Sequence, residues 1–141
     1  MLPHMRIAVY AFIAVFVLLV VVTQVVRAQG GAGTDGADDG PARYRNADSL
    51  QKLITDAYQP YVLIDVRTEG EFSGGFIPTA MNIPVQVIAQ NPPQVPHDSL
   101  VILYCRTGNR SSAAKRILLQ QGFTQVVDFG GINRWPHALV N

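Results

Sequence analysis

The sequence predicts an α/β domain: a central parallel sheet with helices on both faces. Three observations carry that expectation. Apolar β-type runs at residues 61–66, 100–104 and 126–129 alternate with helical patterns rather than with hairpin turns. The runs are continuously apolar, the pattern of strands covered on both sides. Cys105 and the pair Asp65 and Arg67 fall at the C-terminal ends of two of these runs, where parallel sheets bind ligands.

Taken in order, the chain opens with Arg6 and an uninterrupted apolar stretch over residues 7–22, followed by Val26-Arg27-Ala28. Residues 1–28 therefore read as a secretory signal peptide cleaved after Ala28. With Val25 and Val26 the stretch approaches the ~20 residues that span a bilayer, so an uncleaved signal anchor is the alternative. Either way a periplasmic or secreted location is expected, or a membrane-anchored one facing outside the cytoplasm. Residues 29–43 are Gly-, Ala- and Asp-rich with little to bury, and read as a flexible linker. Residues 44–141 form the expected domain.

Within it, Asn46 or Asp48 can cap a helix over residues 49–57 with Leu50, Leu53 and Ile54 on one face. Residues 61–66 follow as a buried strand, residues 68–73 as a short helix ended by Gly74 and Gly75, and residues 80–83 as a short strand. Pro84 suits the first position of another helix containing Val85, Val87 and Ile88. Residues 91–96 hold three prolines and are irregular. Residues 100–104 form the central strand, and residues 111–121 a helix with Ala113, Ala114, Ile117 and Leu118 as its buried stripe. Gly122 stops that helix and Phe123 packs back on it. The last strand covers residues 126–129, and Gly130-Gly131 turns the chain into a final helix around residues 133–139.

Composition narrows the function classes. The 141 residues suffice for one domain, and the formal charge of +1 with no basic run argues against nucleic acid. A single cysteine excludes an intrachain disulfide, no Cys/His spacing suits a metal, and no cofactor motif is present. A monomer is expected.

Cys105 lies where a strand ends and a tight loop leads into a helix. Loop and helix N–H groups favour negative charge there, and Arg106 and Arg110 add positive charge. Such a thiol is expected to ionise below the usual ~8.5. Two arginines and a glycine in the next five residues do not fit the alternative of a small buried hydrophobe.

The loop Cys105-Arg106-Thr107-Gly108-Asn109-Arg110-Ser111 resembles the active-site loop of the rhodanese family of sulfurtransferases, in the order Cys-x-x-Gly-x-Arg-Ser. Asp65-Val66-Arg67 followed by Glu71-Phe72, the segment from Gly75 to Pro84, and Gly130, Gly131 and Trp135 match further family motifs, so the resemblance spans nearly all of the folded part. It is greatest to single-domain, exported members. Phe76 stands where the family usually has histidine, and Thr79 where it often has glycine.

The resemblance implies a double displacement. Cys105 takes the outer sulfur of thiosulfate or another sulfane-sulfur donor as a persulfide, and a thiophilic acceptor, cyanide in vitro, removes it. It assigns substrate binding to Arg106, Thr107, Gly108, Asn109, Arg110 and Ser111, and supporting roles to Asp65, Arg67 and Glu71. Arg106 is expected to attract the dianionic donor, and Arg110 to hold the loop by pairing with Glu71. A persulfide carrier or redox-sensing module with little turnover is the alternative. A phosphatase or arsenate reductase of related fold is a third reading, against which the four residues between Cys105 and Arg110 argue, because a phosphate cradle is one residue longer.

Overall fold

The structure is a computed structural model, which describes residues 40–141. The expected signal segment and most of the linker lie outside the described residues. Four parallel strands form one sheet in the order β2-β1-β3-β4: β1 (Val62–Asp65), β2 (Met81–Asn82), β3 (Leu100–Cys105) and β4 (Gln125–Gly131). The α-helices are α1 (Ala47–Asp56), α2 (Glu69–Ser73) and α3 (Asn109–Gln120).

Local chemistry explains the helix starts. The Asn46 side chain accepts bonds from the Asp48 and Ser49 N–H groups at 2.9 and 3.0 Å, so Asn46 rather than Asp48 caps α1. Thr68 and Glu71 form a reciprocal capping box on α2, which fixes a helix too short to persist alone. Gly122 ends α3 with φ +96°, and the Phe123 N–H closes on Leu118 O at 3.1 Å.

Strand alternation separates two cores. One face carries Leu63, Ile102, Tyr104, Val127 and Phe129 against Leu50 and Leu53 of α1, with Tyr44, Ile77 and Trp135. The other carries Ile64, Val101, Leu103, Cys105 and Val126 against Ala114 and Leu118 of α3, with Ile88 and Phe123. Cys105 thus faces the α3 side, and Tyr104 the α1 side.

Three expectations are corrected. The domain begins earlier than residue 44, because Gly40–Arg45 forms a 3₁₀ helix that buries Tyr44 completely. No regular helix follows Pro84. Residues 85–90 form successive turns, with Val87 and Ile88 N–H groups both bonded to Pro84 O. β-Branched Val85 and Val87 disfavour the helix, and Pro92 turns Asn91 away from helical geometry. The final helix shrinks to a 3₁₀ turn, Ile132–Arg134. Pro136 prevents continuation by pushing Trp135 to extended geometry, φ −86° and ψ 110°. The chain then runs out to an antiparallel bridge between Val140 and Phe76, with N–H to carbonyl distances of 2.9 and 3.0 Å.

Both departures from the family pattern have local accommodations. Phe76 stacks on Phe72 with ring centroids 4.0 Å apart, replacing hydrogen bonding by aromatic contact. Thr79 holds φ +70°, an unfavourable value for a β-branched residue, and its hydroxyl lies 2.9 Å from the Tyr61 hydroxyl. Among the described residues no helix is long and apolar enough to cross a membrane.

Candidate active site

Cys105 ends β3 and is 1% exposed. The backbone reverses at Gly108, which takes φ +107° and starts α3 without a side-chain cap. The sulfur fills that place: the Gly108 N–H donates to Sγ at 3.0 Å. Burial pushes the thiol pKa up. The Ser111 hydroxyl and the backbone N–H groups of Ser111, Gly108 and Thr107 outweigh burial, so the pKa lies below that of a free thiol.

Ser111 is itself fully buried. Its Oγ lies 3.0 Å from Gly108 O and 3.3 Å from Gly130 O. A hydroxyl has one proton, so it donates either to a carbonyl or to sulfur. As Sγ gains negative charge the sulfur becomes the stronger acceptor. The same side chain therefore braces the loop against β4 and stabilises the thiolate.

The shape of the loop depends on glycines in β4. A β-bulge between Leu103 and Tyr104 sets Tyr104 opposite Gly130 and Cys105 opposite Gly131. A methyl on Gly131 would collide with Asn133 Oδ1, the Arg106 carbonyl oxygen at 2.8 Å and Thr107 Cα at 2.9 Å. The close approach of β4 to the loop requires glycine there. Asn133 Oδ1 thus lies over Gly131, where β4 meets the loop. Sequence reasoning missed Asn133, and nothing local to it signals the contact.

Arg110 makes the expected bidentate pair with Glu71, Nη1 to Oε2 at 2.6 Å and Nη2 to Oε1 at 2.8 Å. This bond, with the Thr68 contacts, holds the Glu71 carboxyl at about 2 against the cost of partial burial. It joins α2 to the first turn of α3. Arg106, Thr107 and Asn109 are exposed at the mouth of the loop. No acid pairs with Arg106 among the described residues.

Asp65 and Arg67 form a separate cluster. Asp65 is fully buried and accepts from the Arg67 backbone N–H, Nε and Nη2 at 2.6–3.0 Å. Arg67 Nη2 also donates to Gly75 O at 2.8 Å. Asp65 shares its face of the sheet with Tyr104, opposite the Cys105 side chain. Burial and the Asp65 carboxylate push the Tyr104 phenol up, and its oxygen accepts from the Ile77 N–H at 3.1 Å. Asn82 donates to both Asp65 O and Arg67 O at 2.9 Å. These groups brace the segment that carries α2 and lie apart from the sulfur. Tyr104 and Asn82 were missed as members of this brace. Among the described residues no cluster of three metal-ligating side chains occurs.

The rhodanese-like domain family matches residues 46–138. A protein named sulfurtransferase from Allochromatium vinosum is 36% identical over 96 residues, covering 67% of this chain and 89% of that protein. A rhodanese-like domain protein from Staphylococcus aureus superposes with a TM-score of 0.60 at 28% identity, covering 67% of this chain and 93% of that one. A rhodanese with anions from E. coli superposes with a TM-score of 0.51 at 30% identity, covering 58% of this chain and 99% of that one.

Proposed function

The chain belongs to the rhodanese-like domain family, and from that premise we propose that it is a thiosulfate sulfurtransferase acting through a persulfide on Cys105. The observation that carries the reading is the sulfur held in a loop of backbone donors, with the Gly108 N–H at 3.0 Å from Sγ and the pKa lowered despite burial. The Cys105 thiolate attacks the outer sulfur of thiosulfate, a new S–S bond forms, and sulfite leaves with the electron pair of the broken bond. The persulfide terminal sulfur then meets the same loop donors, now aimed at a negatively charged outer atom. Cyanide attacks that sulfur and leaves as thiocyanate, returning the electron pair to Sγ.

Exposed Arg106 supplies unneutralised positive charge for the dianionic donor and for the leaving sulfite. Thr107 and Asn109 offer hydroxyl and amide groups at the same mouth. Arg110 holds the loop through Glu71 and also places its positive charge beside Cys105. Asp65 and Arg67 contribute only through the segment they brace. The N-terminal segment supports action outside the cytoplasm. The physiological acceptor is a thiophile brought to the loop mouth.

The test is intact mass. The parent chain incubated with thiosulfate should gain one sulfur atom and lose it to cyanide with thiocyanate released, whereas Cys105→Ser should gain none. Stoichiometric loading without repeated turnover would favour the carrier reading. No gain with any sulfane-sulfur donor would overturn the proposal.

A further inference from the structure

The basic residues of the domain are not paired evenly. Lys52, Arg67 and Arg110 each have an acidic partner. Arg45, Arg106, Lys115, Arg116 and Arg134 have none among the described residues, and Arg116 stands apart from the other four. These four follow one another along the outer edge of β4. Arg106 borders Gly131 through its carbonyl. The Arg134 guanidinium lies against Gly130 and donates to Phe129 O at 3.0 Å and Arg45 O at 3.4 Å. Arg45 and Lys115 line one cleft of about 180 Å³ with residues 124–127. The acid on this strand, Asp128, accepts from the Gly130 N–H at 3.0 Å.

A strand of seven residues is about 20 Å long. An anion the size of thiosulfate meets one or two of these cations, whereas a macromolecular surface spans them all. Repulsion among like charges gives the fold nothing, and a solubility role does not require one edge leading to the nucleophile. We propose that this cationic edge docks an acidic partner protein that exchanges sulfur with Cys105, carrying a thiol beside a cluster of Asp and Glu. The proposal rests on the sulfurtransferase reading. In the transfer, the partner thiolate attacks the outer sulfur of the persulfide anion. The Sγ–S bond breaks, its electron pair returns to Cys105, and the transferred sulfur stays on the partner as its persulfide anion.

The experiment uses the full chain loaded with thiosulfate and two synthetic peptides of about twelve residues, long enough to reach from the loop to Lys115. Both carry an N-terminal cysteine, and one has glutamates in its distal half where the other has glutamines. At low salt the glutamate peptide should accept sulfur with a KM about tenfold lower, and the advantage should vanish near 0.5 M salt. Arg45→Gln with Lys115→Gln should reduce it to within about twofold while thiosulfate-to-cyanide turnover stays unchanged. Equal peptides, or an advantage that survives the double variant, would overturn docking while leaving the sulfurtransferase reading intact. Binding to anionic vesicles that the double variant abolishes, without any peptide preference, would assign the edge to a membrane and overturn it equally. If neither peptide nor cyanide takes sulfur, the underlying reading itself fails.

Discussion

At the scale of single residues, the thiol is governed by the competition between burial and hydrogen bonding. Cys105 is 1% exposed, which disfavours a thiolate, yet the Ser111 hydroxyl and three loop N–H groups reverse the balance. Ser111→Ala removes the donor that lowers the thiol pKa most. The midpoint for alkylation by iodoacetamide should rise toward that of a free thiol, and thiosulfate loading at pH 7 should slow by about tenfold, the loss of one hydrogen bond to a charged atom. An unchanged midpoint would remove Ser111 from the thiolate's support. The gathering of Cys105, Gly108 and Arg110 in one loop was legible because their spacing is local. Asn133 was not, since its side chain lies over Gly131 at the place where tertiary packing brings β4 against residues 106 and 107.

Between elements, the Arg110–Glu71 pair joins α2 to α3. Glu71 has a folded-state pKa of about 2, below the ~4.3 of an unperturbed glutamate. A depressed carboxylate adds stability that is fully present above the unfolded value and is lost as pH falls through the folded value. The stability difference between the parent and Glu71→Gln should therefore be constant above about pH 5 and shrink toward zero near pH 2. Chemical denaturation across that range checks it, and a constant difference would contradict the pairing. The element boundaries show where sequence patterns compete. The final helix expected over residues 133–139 after Gly130-Gly131 is forbidden by Pro136, by a rule equally local. The segment after Pro84 failed as a helix for the similar reason that β-branched residues and downstream prolines outweigh an apolar stripe.

For the whole molecule, both cores are closed by residues from Tyr44 to Trp135. A fragment of residues 40–141 should therefore fold and load sulfur as the full chain does, whereas one beginning at Asn46 should be less stable for want of buried Tyr44. Thermal unfolding of the two fragments separates these outcomes, and equal midpoints would show that the 3₁₀ helix adds nothing.

The sequence by itself determined the sheet and the position of Cys105 at a strand end, and it offered Glu71 as a candidate partner for Arg110, which the structure pairs. Each follows from short-range periodicity, from charge or from a compact motif. Only the tertiary structure decided which face each strand residue presents. That separates Asp65 and Arg67 from the sulfur and makes them a brace. The tertiary structure also decided that β4 must carry glycine where the loop descends on it, and that four unpaired cations share one edge. Those facts depend on strand register and on contacts between residues remote in the chain, which no local pattern encodes.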